Sequence, residues 1–206
     1  PEVPPRVAAA VASAPVRAGE RGRLAVVTAP TATLLSETAA GRLDIAVVQH
    51  PAVLHGLAAG RVVLFPTWLL TPADDPDDPA GTPGGARRLP VAVRPREEAP
   101  AAYDLFVDTL ASRGRRVETV TVSDERAGLA LVAAGQATLV TADPTLTADG
   151  IDRTRAVDPP LPLRLRVVWD SRQPDGEETE RTARLLVEAL SLQAASLDVA
   201  AARAAR

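Results

Sequence analysis

The run VETVTVSDERAGLALVAAGQATLVT, residues 117–141, decides the fold class. Val117 to Val122 reads as a β-strand. Ser123 or Asp124 then offers a side-chain oxygen to the free N–H groups of a starting helix, which runs to Ala134 and stops at Gly135. Ala137 to Thr141 returns as a strand. Upstream the same order recurs: Arg23 to Thr28 (RLAVVT) reads as a buried strand, and Thr31 to Ala40 as a short helix carrying Leu34, Leu35 and Thr38, closed by Gly41. Leu43 to Gln49 (LDIAVVQ) reads as the next strand. Short β-type runs alternating with helical patterns predict an α/β protein with a mainly parallel sheet.

Outward from these units, residues 4 to 14 read as the tail of a helix, and Arg61 to Leu70 as a strand interrupted by Pro66, which belongs at an edge or a bend. TPADDPDDPAGTPGG, Thr71 to Gly85, reads as a mobile loop, and Leu89 to Arg94 as a strand. From Ala99 to Arg113, Tyr103, Phe106, Val107 and Leu110 fall on one helical stripe, with Pro100 in the first turn and Gly114 at the end. Leu163 to Trp169 alternates Leu163, Leu165, Val167 and Trp169 against Arg164, Arg166 and Val168, the pattern of a half-exposed strand that returns to the sheet containing Leu24 to Val27. The last helix, from Glu177, places Ala183, Leu186, Val187 and Leu190 on one face, with Arg203 and Arg206 near its end.

Composition narrows the function. The 206 residues are 46% hydrophobic and 24% charged, as in a globular protein with room for one large domain or two lobes. No apolar run is long enough to span a membrane, and no signal peptide opens the chain. The chain starts at Pro1 and has no Met, so it reads as a segment of a longer product. With no Cys, it has no disulfide, thiolate nucleophile or zinc–thiolate site, and the cytoplasm is the natural compartment. A net charge of -3 and five aromatic residues argue against this segment gripping nucleic acid.

Four stretches carry a family resemblance: Ala40-Gly41-Arg42-Leu43-Asp44-Ile45-Ala46; Arg94 to Asp104; Ser123-Asp124-Glu125 through Leu131-Val132-Ala133-Ala134-Gly135; and Leu163 to Trp169. In order and spacing they resemble the effector-binding domain of LysR-type transcriptional regulators. The chain departs from that pattern at Ala137 and Ala142, where the family has Gly and Pro, and at Asp75-Pro76 in place of His-Pro. The resemblance implies the type 2 periplasmic-binding-protein fold: two Rossmann-like α/β lobes joined by two crossover segments, with a small effector between them. Lobe I is expected to be discontinuous, residues 1–52 plus 155–206, and lobe II to span 53–154. The parent's winged helix-turn-helix and first strand are absent from this segment. A homodimer or homotetramer is implied, with DNA bound only through the missing N-terminal domain and no membrane partner. The alternatives are a solute-binding protein of a transport system and an enzyme on the same fold.

Open α/β sheets bind ligands beyond the carboxyl ends of their strands. That rule selects Thr28, Thr31, Gln49, Arg94, Arg96, Ser123, Thr141 and Asp143 as candidate ligand-binding residues, a set whose hydroxyls, amide and two guanidiniums suit a small carboxylate. Each has a structural alternative: Arg94 and Arg96 as ion-pair partners of nearby acids, the hydroxyls as helix caps and turn formers. His50 and His55 lack the spacing of a metal pair, and Asp74, Asp75, Asp77 and Asp78 lack the Gly and terminal Glu of a calcium loop. No nucleophile motif or phosphate-cradling Gly loop is present, so no catalytic residue, metal or cofactor is expected.

Overall fold

A computed structural model describes residues 1–19, 24–73, 89–112 and 117–204. They divide into two units: unit 1, comprising Pro1–Glu2, Thr67–Pro95 and Val107–Leu161, and unit 2, comprising Val3–Pro66, Arg96–Phe106 and Pro162–Arg206.

Unit 2 is built around one strand, β9 (Leu163–Trp169). Antiparallel to it on one side lies β1 (Ile45–Gln49), with Ile45 opposite Trp169 and Gln49 opposite Leu165. On its other side lie β2 (Ala58–Ala59) and β3 (Val63–Phe65), also antiparallel. Because side chains alternate across a strand, Leu163, Leu165 and Val167 point one way and are buried. Helix α6 (Gly176–Ala204) packs on β9 and β3, and α1 (Pro5–Ala12) and α2 (Ala14–Arg17) pack on α6. Gly60 lets α6 approach the sheet: a Cβ there would stand 2.6 Å from Val187 Cγ2. Helix α3 (Thr31–Ala39) lies against β1, where Leu35, Ala46, Val48, Leu57 and Val168 form a core.

Unit 1 carries five strands: β4 (Trp68–Pro72), β5 (Val91–Val93), β6 (Thr119–Thr121), β7 (Thr138–Thr141) and β8 (Ile151–Arg155). Their order is β6-β5-β7-β4-β8. Strand β5 is parallel to β6 and β7, whereas β4 is antiparallel to β7 and β8. Helix α5 (Glu125–Ala133) buries Val132 against Leu70, Ala92, Val122, Ala137 and Leu139. Asp124 is its N-cap, accepting the Ala127 N–H at 2.8 Å. Gly135, at φ +68, follows its C-terminal end in the left-handed conformation that L side chains rarely adopt. Helix α4 (Pro100–Ala111) is preceded by a 3-10 turn, Arg96–Glu98; its residues up to Phe106 belong to unit 2 and the remainder to unit 1.

The sequence expectations need correcting in several places. Residues 24–28 form no strand, and Leu24, Val26 and Val27 are more than half exposed. Leu163 to Trp169 therefore returns to the sheet of β1, with Leu24 to Val27 outside it. The apolar run Arg61 to Leu70 is two strands in two sheets, because Pro66 has no N–H with which to continue a ladder. Among the described residues the two parallel pairs are those of β5 with β6 and with β7, and the other five are antiparallel, so the sheets are not mainly parallel. Val168, expected half-exposed, is fully buried under α3. Strands β2 and β8 were not anticipated. Thr71 and Pro72 end β4 rather than opening a loop. The acidic run Asp74 to Asp78, the remainder of that loop to Gly85, the Arg23 end of the first run, Gly114 and the Arg203 and Arg206 side chains lie outside the described residues.

Candidate functional site

The parallel trio β6-β5-β7 brings three carboxyl ends of unit 1 side by side, and the polar groups just past them converge. Arg94 follows β5, and its Nη1 forms an ion pair with Glu2 Oε1. Thr141 ends β7, is fully buried, and donates from Oγ1 to Glu125 Oε2 at 2.7 Å while accepting the Asp143 N–H at 3.0 Å. Glu125, in the first turn of α5, accepts the Glu2 N–H at 2.7 Å with its other oxygen. Burial pushes the Glu125 carboxyl above the usual carboxylate range, and the hydrogen bonds from the Glu2 N–H and the Thr141 hydroxyl pull the other way. Asp143 closes a turn, its Oδ1 accepting the Thr145 N–H at 2.9 Å and hydroxyl at 2.7 Å. Ser123 is exposed, its hydroxyl 3.4 Å from Asp124 Oδ2.

In unit 2 the helix–strand junction is pinned by Thr31, whose Oγ1 accepts the Gln49 N–H at 3.1 Å and so fixes the start of α3 to the end of β1. A groove of about 610 Å³ runs along α3, lined among others by Leu35, Ser36, Pro51, Val53, His55 and Pro100. Arg96 gives both arms of its fork to Asp104, at 2.7 and 2.6 Å. That bond raises the Arg96 guanidinium above its ordinary value and lowers the Asp104 carboxyl. Thr28 is exposed, in irregular backbone before α3.

The candidate residues therefore divide. Arg94, Thr141 and Asp143 gather in unit 1 with Ser123 at the cap of α5, while Thr31 and Gln49 meet in unit 2, where Arg96 and Thr28 make no part of that contact. Sequence reasoning missed Glu2 and Glu125. An acid beside a capping Asp reads as helix-dipole complementation, and nothing local shows that it faces a hydroxyl sixteen residues away. Chemically, the unit 1 group combines a guanidinium fork, the carboxylates of Glu2, Glu125 and Asp143, and a buried hydroxyl, a set that can both donate to and accept from a small polar molecule.

Residues 18–191 match the model of the LysR substrate binding domain. The chain belongs to this family. No curated protein matches it. Among solved structures, a mutant of Corynebacterium glutamicum OxyR is similar to this LysR substrate binding domain with a TM-score of 0.70 and 21% identity, over 93% of this chain and 63% of that one. CbnR, a LysR family transcriptional regulator, is similar with a TM-score of 0.65 and 14% identity, over 92% of this chain and 65% of that one. The reduced form of the OxyR regulatory domain from Pseudomonas aeruginosa gives a TM-score of 0.64 and 18% identity, over 91% of this chain and 90% of that one. At these identities the likeness shows the fold, an α/β architecture of the periplasmic-binding-protein type. The LysR substrate binding domain chain thus spans about 63% of the OxyR chain and 65% of CbnR. Among the described residues, no helix is long and apolar enough to cross a membrane, and no three His, Asp or Glu side chains gather as metal ligands.

Proposed function

We propose that this chain is the effector-sensing domain of a LysR-type transcriptional regulator and that it binds a small anionic metabolite. The observation that carries the reading is the family match over residues 18–191. Arg94, Thr141, Ser123 and Asp143 from unit 1, and Thr31, Gln49, Thr28 and Arg96 from unit 2, are the proposed ligand residues, joined by Glu125. The ligand acts by differential affinity for two arrangements of the domain, which a homodimer or homotetramer passes to a separate DNA-binding segment. The match favours a regulator over a transport binding protein.

The domain works by binding and not by catalysis. Thr141 and Glu125 have the spacing of a nucleophile and a base, yet the Thr141 side chain is fully buried and its hydroxyl already bonds two groups. Its signal is also not a thiol's, because the chain has no Cys.

Thermal unfolding of the chain against a panel of small carboxylates tests the proposal. A ligand at a hundred times its dissociation constant adds about 2.7 kcal/mol of apparent stability. Stabilisation by amines or neutral metabolites with none by any carboxylate would overturn the anionic reading.

A further inference from the structure

Arg164 and Arg166 of β9 combine partial burial with the lack of a carboxylate partner, whereas Arg6, Arg17, Arg61, Arg126, Arg153 and Arg181, which also have no carboxylate against them among the described residues, are exposed. Arg42, Arg94, Arg96, Arg172 and Arg184 each lie against a carboxylate. Arg164 and Arg166 are half-buried, and among the described residues neither has a carboxylate within ion-pair distance. Arg166 donates from Nε to the Gly60 carbonyl at 2.6 Å, which leaves its terminal amino groups available. Arg164 makes no side-chain hydrogen bond to a described residue.

The sheet register gives them a third member. Val48 stands opposite Arg166 and Gln49 opposite Leu165, and the His50 N–H continues the ladder to the Arg164 carbonyl at 2.9 Å. His50 and Arg164 therefore share a face, and Leu64 of β3, opposite Arg164, completes the row. Opposed residues have Cβ atoms about 4.5–5.5 Å apart, and residues two apart on a strand are separated by about 6.6 Å. This is the face on which α3 covers Val48 and Val168, and the basic row lies next to that core.

We infer that Arg164, Arg166 and His50 form a binding site for the oxyanion group, phosphate or carboxylate, of a small molecule. Two half-buried arginines on one face, two residues apart on the strand, place like charges in one neighbourhood, and an oxyanion between them turns that repulsion into charge-assisted hydrogen bonds from planar forks. The imidazole registers the same field. Burial, then the charges of Arg166 and Arg164, hold His50 below its ordinary range, and no acid is among the groups acting on it. A bound oxyanion cancels part of that field and raises His50. The site lies wholly in unit 2, shares no residue with the Arg94 group, and does not depend on the effector reading.

The chain has two histidines, so His50 is the reporter and His55 the internal control. The imidazole C–H resonances of the 206-residue chain are followed by NMR at constant pH and ionic strength while chloride is replaced by inorganic phosphate or, separately, by acetate. The expected result is a saturable shift of His50 alone. A response to phosphate but not acetate assigns the site to phosphoryl groups, and a response to both assigns it to oxyanions in general. Arg164→Gln and Arg166→Gln should each weaken the response about tenfold or more. The inference is overturned if His50 and His55 shift together, if His50 does not shift, or if both variants bind as the parent does. It is overturned equally if folded Arg164→Lys and Arg164→Gln titrate like the parent.

Discussion

The hydroxyl of Thr67 should be worth more to stability than any surface ion pair of this chain. Thr67 is 1% exposed at the point where the chain enters unit 1, and its Oγ1 donates at 2.8 Å to the carbonyl of Leu161, where the chain leaves that unit. Its own carbonyl accepts the Ala156 N–H at 3.0 Å, so the entry and exit passages are held side by side. Thr67→Val keeps the shape and removes only the donor, leaving a buried carbonyl without a partner at a cost of about 1–3 kcal/mol. For a chain of this length each kcal/mol lowers the melting temperature by about 2–4 °C. The assay is urea and thermal unfolding of the parent, Thr67→Val and Thr67→Ser. The serine variant should recover most of the loss, because it restores the donor. A valine variant within about 0.5 kcal/mol of the parent, the ordinary range for surface substitutions, would refute the reasoning, as would equal losses in both variants.

Glu125 carries its charge at an energetic disadvantage, because its folded-state pKa is raised. The penalty is full at pH values above the raised pKa and disappears as pH falls to the ordinary value near 4.3, so the stability of Glu125→Gln relative to the parent should be greatest at neutral pH and vanish in acid. Asp124 has the opposite sign: the Ala127 N–H holds its carboxyl low, so its contribution is present above the ordinary carboxylate range and is lost as pH falls through the depressed value. Asp124→Ala should accordingly lower the melting temperature at neutral pH and lose that effect in strong acid. Leu165→Ala, at a fully buried position of β9, should cost about 2–5 kcal/mol in urea unfolding. Thr31→Val should destabilise by about 0.5–1.5 kcal/mol through loss of the hydrogen bond between the Gln49 N–H and the Thr31 hydroxyl, measurable in the same experiment.

What could be seen in the sequence was whatever is local. The Asp124 cap, Gly135 and the apolar stripe between them mark α5 within a residue or two. The alternation of Leu and Arg marks β9 equally well. Strand β8 escaped because IDRTR has almost no apolar alternation; among the described residues it pairs with β4 alone, and it exposes its three central residues. RLAVVT misled for the converse reason. Apolar, β-branched residues make a strand only where a neighbour supplies hydrogen bonds, and among the described residues the sole ladder partner of β1 is β9. Thr141 and Arg94, which respectively end and follow their strands in the structure, were chosen from their place at a strand's end, a rule that needs no contact information. Glu2 and Glu125 needed it.

Strand β9 is the sole sheet partner of β1, β2 and β3 among the described residues, and it is made after every other strand. As the chain leaves the ribosome, those three short strands emerge with nothing to pair with, and their ladders stay open until residues 163–169 appear. Unit 1, apart from its first two residues, lies entirely between Thr67 and Leu161 and is complete by then. Synthesis thus imposes a sequence on assembly, in which the inserted unit closes first and the unit that surrounds it in the chain closes last. A nascent chain stalled when it has emerged from the ribosome only as far as Leu161 would hold a finished sheet β6-β5-β7-β4-β8 and three strands still waiting for their partner.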